Sequence, residues 1–340
     1  MSLSVAYTGS EGHWLPGATV ANQFTNQIPV QYLALGASLL AAKFSPATLA
    51  QVQAMFPSVT MPFTNFSPSA TVAQALRPFP QYSGISNPWL DVGNSSYHAL
   101  QVSANRRFSS GLSFMANYTF SKEMDDLANV RFPGNNQLER SLGTVDHAHV
   151  ATATLLYLLP FGAGRHWNAG NKAVNQVIGG WQVSGIYTFS TGAPLAITST
   201  ACTGGGIIDA VCVPNYTPGF TGSVWQNGDP GKHGAAVDSS THYLNAAAFT
   251  APASLTFGNA PRTAPYGLFA PSIADIDLSI RREFVIHEGV TFSIQGDAFN
   301  TLNSVYLAAP VVNMNAANFG SFTSQANNPR KLQLSARVTF

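Results

Sequence analysis

Two histidines and two aspartates have the residue types and spacing to suggest a metal or cation site. His147 and His149 are two positions apart, so in a strand they would share one face, but no third ligand lies near them. Asp125 and Asp126 are adjacent and could attract a cation, but as a solvated loop run they need no such role, which is the interpretation we favour. We expect both pairs to be structural.

Cys202 and Cys212 are the only cysteines, and they flank a glycine-rich segment. In an oxidising compartment they could close a small loop through a disulfide, and two unpaired thiols in a flexible loop remain the alternative. A spacing of nine intervening residues without a local histidine is not typical of a zinc site.

Catalytic motifs do not appear in the chain. The sequence has no glycine-rich phosphate loop, no nucleophile elbow, no CxxC and no readable pair of catalytic carboxylates. It therefore predicts neither an enzyme nor a bound cofactor. A net charge of +1, without a run of more than two basic residues, also argues against a nucleic-acid partner.

The composition suits a wall between lipid and water. Only 9% of the 340 residues are charged, against roughly 25% in an ordinary soluble domain, while 45% are hydrophobic. Serine, threonine, asparagine, glutamine, glycine and aromatic residues take the place of the missing charged residues. No segment reaches the 18 or so apolar residues of a membrane-spanning helix, so spanning by strands is the favoured interpretation.

The last ten residues, 331–340, alternate without exception between apolar and polar side chains. Successive side chains of a strand point to opposite faces, so this alternation indicates a strand between two environments. The apolar set is Leu332, Leu334, Ala336, Val338 and Phe340. An apolar strand that ends on a C-terminal aromatic also resembles the signal read by the barrel-assembly machinery, for which we single out Leu334, Ala336, Val338 and Phe340.

The same pattern recurs and predicts about eight strands. They lie near residues 2–8, 100–105, 112–121, 150–159, 181–190, 274–281, 290–298 and 331–340. Their connections are alternately short and long, which places all long loops at one end of an antiparallel sheet. Outer-membrane barrels have this arrangement, with short periplasmic turns and long extracellular loops. In the first long loop, Ser45 followed by Pro46 predicts a short helix to about Phe56.

Seven charged side chains fall on the polar face of three consecutive strands, where they would face the lumen. They are Asp275, Asp277, Arg281, Glu283, Asp297, Lys331 and Arg337. Opposite charges on neighbouring strands would pair across the sheet and could contact a domain that fills the barrel, whereas a plain solvated lumen wall is the alternative.

A soluble β-sandwich would also alternate, because one face of each sheet is buried. Aromatic residues near the strand ends, such as Tyr118, Trp181 and Phe340, favour a membrane barrel with interfacial girdles. The long loops are also unlike compact sandwich connections. The predicted fold class is thus all-β: an antiparallel transmembrane β-barrel with long extracellular loops.

Eight short motifs, in order along nearly the whole chain, resemble one known family. They are NQIPVQYLALG (26–36), LRPFPQY (76–82), YHALQ (97–101), GLSF (111–114), YTFSK (118–122), GGWQ (179–182), FGNA (257–260) and DAFNTLN (297–303). Together they resemble the C-terminal barrel region of Oar-like TonB-dependent transporters. The resemblance implies a 22-stranded barrel with an N-terminal plug, energised through TonB, that imports a large substrate.

Residues 1–340 depart from that family in having no plug, no TonB-contacting segment and about eight strands. Residues 1–7 lack the features of a signal peptide and look like the middle of a strand, so we expect a partial barrel. Its expected partners are outer-membrane lipid, the barrel-assembly machinery, a large substrate, and TonB through the missing N-terminal region. The alternative is a small outer-membrane barrel with an adhesive or surface-structural role and no transport.

Overall fold

The computed structural model describes residues 1–16, 25–85, 91–127, 131, 136–227 and 237–340. Within them, one antiparallel sheet carries eight long strands paired in chain order. These strands are β1 (Ser2–Pro16), β2 (Asp91–Ser109), β3 (Leu112–Asp125), β4 (His149–Leu158), β5 (Trp181–Ser190), β6 (Ile273–His287), β7 (Val290–Phe299) and β8 (Lys331–Thr339). The predicted number and positions of the strands are confirmed.

The first two strands are longer than the alternation predicts. They pair from Ser2 opposite Asn105 to Pro16 opposite Asp91, with register shifts after Gly12. Beyond Tyr7 the side chains are mostly small or polar, so the apolar pattern ends although the backbone ladder continues. Backbone hydrogen bonds therefore continue the pairing of β1 and β2 beyond the point where hydrophobic periodicity can identify these strands.

Short turns join the strands at one end of the sheet. Ser110 and Gly111 connect β2 to β3 with φ of 53° and 82°, and Glu288 and Gly289 connect β6 to β7. Two successive positive φ angles match the twist of a two-residue hairpin, which explains the glycine there. The third connection at this end, residues 159–180 between β4 and β5, is longer and contains helix α4 (Lys172–Ile178).

The register keeps the two faces of the sheet distinct. Gln101 lies opposite Thr119, and Leu100 lies opposite Phe120. On β7, Gln295 is flanked by Arg281 and Ser335, whereas Ile294 is flanked by Arg282 and Ala336. We call the face that carries Gln101, Thr119 and Gln295 the inner face, and the opposite one the outer face.

Long connections at the other end pack together into what we call the external layer, residues 25–85, 191–227, 237–272 and 300–330. Its helices are α1 (Gly36–Ala41), α2 (Pro46–Met55) and α3 (Val72–Ala75). Helix α2 begins after Ser45, whose hydroxyl accepts from the Thr48 amide in a capping box, as predicted.

The external layer has hydrophobic cores of its own. One core joins the first long loop, including Leu40 and Val52, to Ile208 of the third long loop. Another joins Leu244 of the third loop to Phe319 of the fourth. The layer is thus a folded unit, which the sequence pattern did not predict because its helices are short and its strands have two residues each.

A disulfide joins Cys202 and Cys212 inside this layer, with Cα atoms 5.7 Å apart. Both residues are buried, and the carbonyls of Cys202 and Cys212 accept the amides of Leu255 and Ser199. The bridge closes a loop with a sequence separation of 10 and so restricts the unfolded chain.

Reduction of this disulfide, or the change Cys202→Ser, should lower the free energy of unfolding of the external layer by about 2–3 kcal/mol. Protease resistance of the external loops, measured against guanidinium concentration with and without reductant, checks this. The double change Cys202→Ser/Cys212→Ser is the control, because its resistance should not respond to reductant. Equal midpoints for the oxidised and reduced wild type would contradict the expectation.

The sheet is open within the described residues. Strand β1 pairs with β2 alone and β8 pairs with β7 alone, so each of them has one edge without a partner strand.

None of the described helices has both the length and the apolar character needed to cross a membrane.

Candidate functional site

The inner face of the sheet curves around a concavity of about 510 Å³. Strands from β2 to β7 contribute to its wall, so the sheet is strongly curled. Two of the seven predicted inner-face charges, Asp277 and Asp297, lie in this wall. The uncharged polar residues that line the concavity are Asn105, Ser113, Thr154, Ser184 and Ser279.

All seven charges have the inner-face register, but they are not joined into a network across the strands. Arg281 donates to Glu283 on the same strand at 2.7 Å, and both side chains are about half exposed. Arg337 lies opposite Ser293, and Lys331 opposite Phe299, so neither faces an acid directly. The predicted ion pairs between neighbouring strands are therefore not the arrangement in the described residues.

The two remaining acids on β6, and Asp297 on β7, accept hydrogen bonds from uncharged groups. The Asp277 carboxylate accepts from the Asn300 amide at 2.8 Å, and that of Asp297 accepts from the Gln295 side chain at 2.8 Å. The Asp275 carboxylate accepts from the Ile276 amide. These contacts fix the three carboxylates on the inner face, and those of Asp277 and Asp297 line the concavity.

A buried arginine, Arg262, connects the external layer to the rim of the sheet. Its guanidinium donates to the carboxylate of Asp125 and, at 2.9 Å, to the Asp125 carbonyl at the end of β3. Its Nε donates to the Glu139 carbonyl at 3.1 Å and the Ser141 hydroxyl at 3.2 Å. Arg262 is 1% exposed. It therefore ties the third long loop to both the second long loop and the sheet.

A second buried ion pair lies beside the first. Arg131 Nε donates to Glu139 Oε1 at 3.1 Å, and the Arg131 Nη1 donates to the carbonyls of Gly258 and Ala260 at 2.8 and 2.6 Å. Glu139 is fully buried. A charge removed from water is tolerated when it is paired and hydrogen-bonded in this way. We call Asp125, Arg131, Glu139, Ser141 and Arg262 the rim network.

The expectation that Asp125 and Asp126 form a solvated loop is wrong. Both are buried, because Asp125 is paired with Arg262 and Asp126 accepts from the Asn94 amide and, at 3.2 Å, from the Asn94 side chain. The adjacent charges are therefore needed to anchor two different segments at the rim, and no cation is required to explain them.

The two histidines serve separate local contacts. His147 Nδ1 lies against the carbonyl of Thr191, while His149 Nδ1 lies 2.7 Å from the Tyr118 hydroxyl on the outer face. His149 also stacks on Phe120. In the part of the chain that the structure describes, no group of three His, Cys, Asp or Glu side chains could hold a metal ion.

A family comparison decides the class of this protein. The family model described as an outer membrane beta barrel domain matches residues 1–333, nearly the whole chain. The chain belongs to the outer membrane β-barrel domain family. No curated protein matches it.

As an outer membrane β-barrel domain, the chain is an integral protein of the bacterial outer membrane. Its outer face, with exposed side chains such as Leu100, Leu278 and Ile280, contacts lipid, and its inner face contacts the lumen. The short turns lie on the periplasmic side and the external layer lies outside the cell.

Sequence reasoning singled out only Asp125 of the rim network of this barrel domain and missed the other four residues, Arg131, Glu139, Ser141 and Arg262. Each lies in a long connection outside the alternating strands, and Arg262 lies 137 positions from Asp125. The only available signal was the scarcity of charge itself: with 9% charged residues, each one in a loop is a candidate for a specific contact.

Asp146 is a further buried acid at the rim of the barrel domain, between β3 and β4. Burial raises the pKa of its carboxyl, while the hydrogen bond from the Glu123 amide and the charges of His147 and Lys122 act in the opposite direction. Because the folded pKa is raised, the free energy of unfolding should increase as pH falls through that raised value towards the ordinary value of 3.8.

The change Asp146→Asn should abolish this increase in the free energy of unfolding at acidic pH. At neutral pH the free energy of unfolding should be unchanged or higher, because the amide oxygen can still accept from the Glu123 amide. Guanidinium unfolding at neutral and at mildly acidic pH measures it. Asp238→Asn is a control of opposite sign: hydrogen bonds from Ser240 and Thr241 lower the pKa of Asp238, so its stabilising effect is lost as pH falls. A loss of stability at neutral pH in Asp146→Asn would contradict the assignment.

Proposed function

We propose that the chain is the C-terminal barrel portion of a TonB-dependent outer-membrane transporter that takes up a large substrate. The observation that carries the proposal is the open eight-stranded sheet, in which one edge of β1 and one edge of β8 have no partner strand among the described residues. Unpaired backbone groups are not tolerated in lipid, so these edges need partner strands. The resemblance of eight ordered motifs to Oar-like TonB-dependent transporters supports strands of the same gene product as those partners.

The lumen argues for a larger barrel as well. Eight strands that close on themselves leave an interior just wide enough for side chains or one small ligand. A larger barrel gives the inner-face acids Asp277 and Asp297 a space in which a plug or a substrate can contact them. In this proposal TonB would act through a plug in an N-terminal region of the full gene product.

Substrate selection would fall to the external layer. This layer has hydrophobic cores of its own, and the rim network attaches it to the barrel rim. It therefore offers a fixed outward surface rather than mobile loops. The proposal includes no catalytic step, because uptake requires binding and passage and not the making or breaking of bonds.

Assembly into the membrane would use the last strand. Every residue of β8 is exposed, and Phe340 is 98% exposed. Leu334, Ala336, Val338 and Phe340 share its outer face and match the apolar C-terminal pattern that resembles the signal of the barrel-assembly machinery.

The reading frame upstream of Met1, together with TonB capture, tests the proposal. We expect an in-frame plug and signal peptide, and binding of the full gene product, solubilised in detergent, to the immobilised periplasmic domain of TonB from the same organism. A stop codon directly upstream with a separate promoter, and no capture by TonB, would contradict it.

One observation favours the alternative, a small barrel with an adhesive or surface-structural role. The external layer has its own hydrophobic cores and a disulfide, as a displayed surface structure would need. The two functions differ in what closes the sheet: strands from elsewhere in a transporter, or β1 against β8 in a small barrel.

A further inference from the structure

The connection between β4 and β5 lies against the outer face of the sheet at its periplasmic edge. The Val177 carbonyl in α4 accepts from Arg282 Nη1 at 2.7 Å and from Trp181 Nε1 at 3.1 Å. Arg282 and Trp181 lie opposite each other on β6 and β5, in the register of the outer-face residue Ile280. Helix α4 is therefore held on the lipid side of the barrel.

Arg282 is an unusual residue for the outer face of the sheet. Its surroundings leave it only 7% exposed and explain why it is tolerated. Its guanidinium carbon lies 5.5 Å from the ring centre of Trp181 and 4.2 Å from that of Phe284. Aromatic rings and basic groups of this kind occur where the membrane meets water. The contact thus places α4 at the level of the lipid headgroups.

The described part of the chain leaves most of helix α4 exposed. It has seven residues and no buried side chain, and Val174 and Val177 are 44% and 67% exposed. A helix this short is marginal in water without a packed face. Val174, Val177 and Ile178 form one apolar stripe at helical spacing, so a lipid surface would supply the missing contact.

Aromatic residues and charge extend this surface. Trp167 is 59% exposed and lies against Phe161, with ring centres 6.1 Å apart. Residues 161–180 contain Arg165 and Lys172 and no acidic residue, although the chain as a whole is nearly neutral. Basic residues beside an apolar stripe are complementary to an anionic membrane surface.

We propose that residues 161–180, here called the periplasmic collar, bind anionic glycerophospholipids of the inner, periplasmic leaflet. Val174, Val177 and Trp167 enter the acyl boundary, and Arg165 and Lys172 contact the phosphate groups. Arg282 acts as a positioning residue that fixes the helix through the Val177 carbonyl.

Fluorescence quenching in vesicles tests the proposal. The full gene product is reconstituted in mixed phosphatidylglycerol and phosphatidylcholine vesicles, with bromine-labelled chains on one lipid or the other at equal label. The emission of Trp167 is obtained as the difference between wild type and Trp167→Phe. We expect stronger quenching by labelled phosphatidylglycerol, and a roughly fivefold lower preference when one basic residue is lost, since each is worth about 1 kcal/mol at an anionic surface.

The charge variants are Arg165→Gln and Lys172→Gln, singly and together, and the matched control is Lys43→Gln in the external layer. The double variant should lose the preference and the control should keep it. Equal quenching by the two lipids in wild type, absence of quenching, or a preference that survives in the double variant would each overturn the proposal.

Discussion

Replacing Arg262 by methionine should lower the free energy of unfolding by about 3–5 kcal/mol. The change leaves the buried Asp125 carboxylate without the arginine that neutralises it, and loss of one partner of a buried pair has this cost. It also removes donors to the Glu139 carbonyl and the Ser141 hydroxyl. Guanidinium unfolding of the protein reconstituted in phospholipid vesicles measures the effect.

The double variant Arg262→Met/Asp125→Asn is the control for this interpretation. It removes the unpaired charge as well as its partner, so part of the lost stability should return. Protease cleavage of the external loops should follow the same order: fastest in the single variant, slower in the double variant and slowest in wild type. A single variant that unfolds at the wild-type guanidinium concentration would contradict the role given to the rim network.

Replacing Leu278 by arginine should cost about 2–4 kcal/mol, because it places a charge on the lipid side of β6, four positions from Arg282 at the headgroup level and therefore deep in the bilayer. The neighbouring change Ser279→Arg should cost far less, since residue 279 lies on the inner face beside Asp297. The two variants carry the same new side chain one position apart and differ only in the face on which it lies.

Guanidinium unfolding in vesicles compares this pair, and the fraction of folded protein in the outer membrane of expressing cells provides a second measurement. Equal losses in Leu278→Arg and Ser279→Arg would contradict the division into a lipid face and a lumen face. A larger loss in Ser279→Arg would reverse it.

The strands were predictable because their signal is local. Alternation over ten residues, as in residues 331–340, indicates both a strand and the different environments of its two faces, lipid and lumen. The alternation ends where a strand no longer has one face in contact with lipid. Strand β1 continues to Pro16 through small and polar residues that extend the ladder in water, and no periodicity marks that part.

The external layer and the rim network were not predictable from the sequence, because their contacts join distant segments. Leu40 and Ile208 share a core although they come from different loops, and Arg262 meets Asp125 across 137 positions. Arg282 escaped notice for a related reason. It extends an otherwise apolar face, and the helix and aromatic rings that accommodate it can be identified only in three dimensions.

Cysteine cross-linking between β1 and β8 tests most directly whether the open sheet is part of a larger barrel. Ser4→Cys, on the inner face of β1, is combined in turn with Gln333→Cys, Ser335→Cys or Thr339→Cys on the inner face of β8, in the full gene product with Cys202 and Cys212 changed to serine. The pair Gln101→Cys/Thr119→Cys, directly opposite on β2 and β3, is the positive control. After oxidation in the outer membrane, we predict cross-linking in the control and none between β1 and β8. A β1–β8 cross-link as complete as the control would show that eight strands close alone, and would contradict the account.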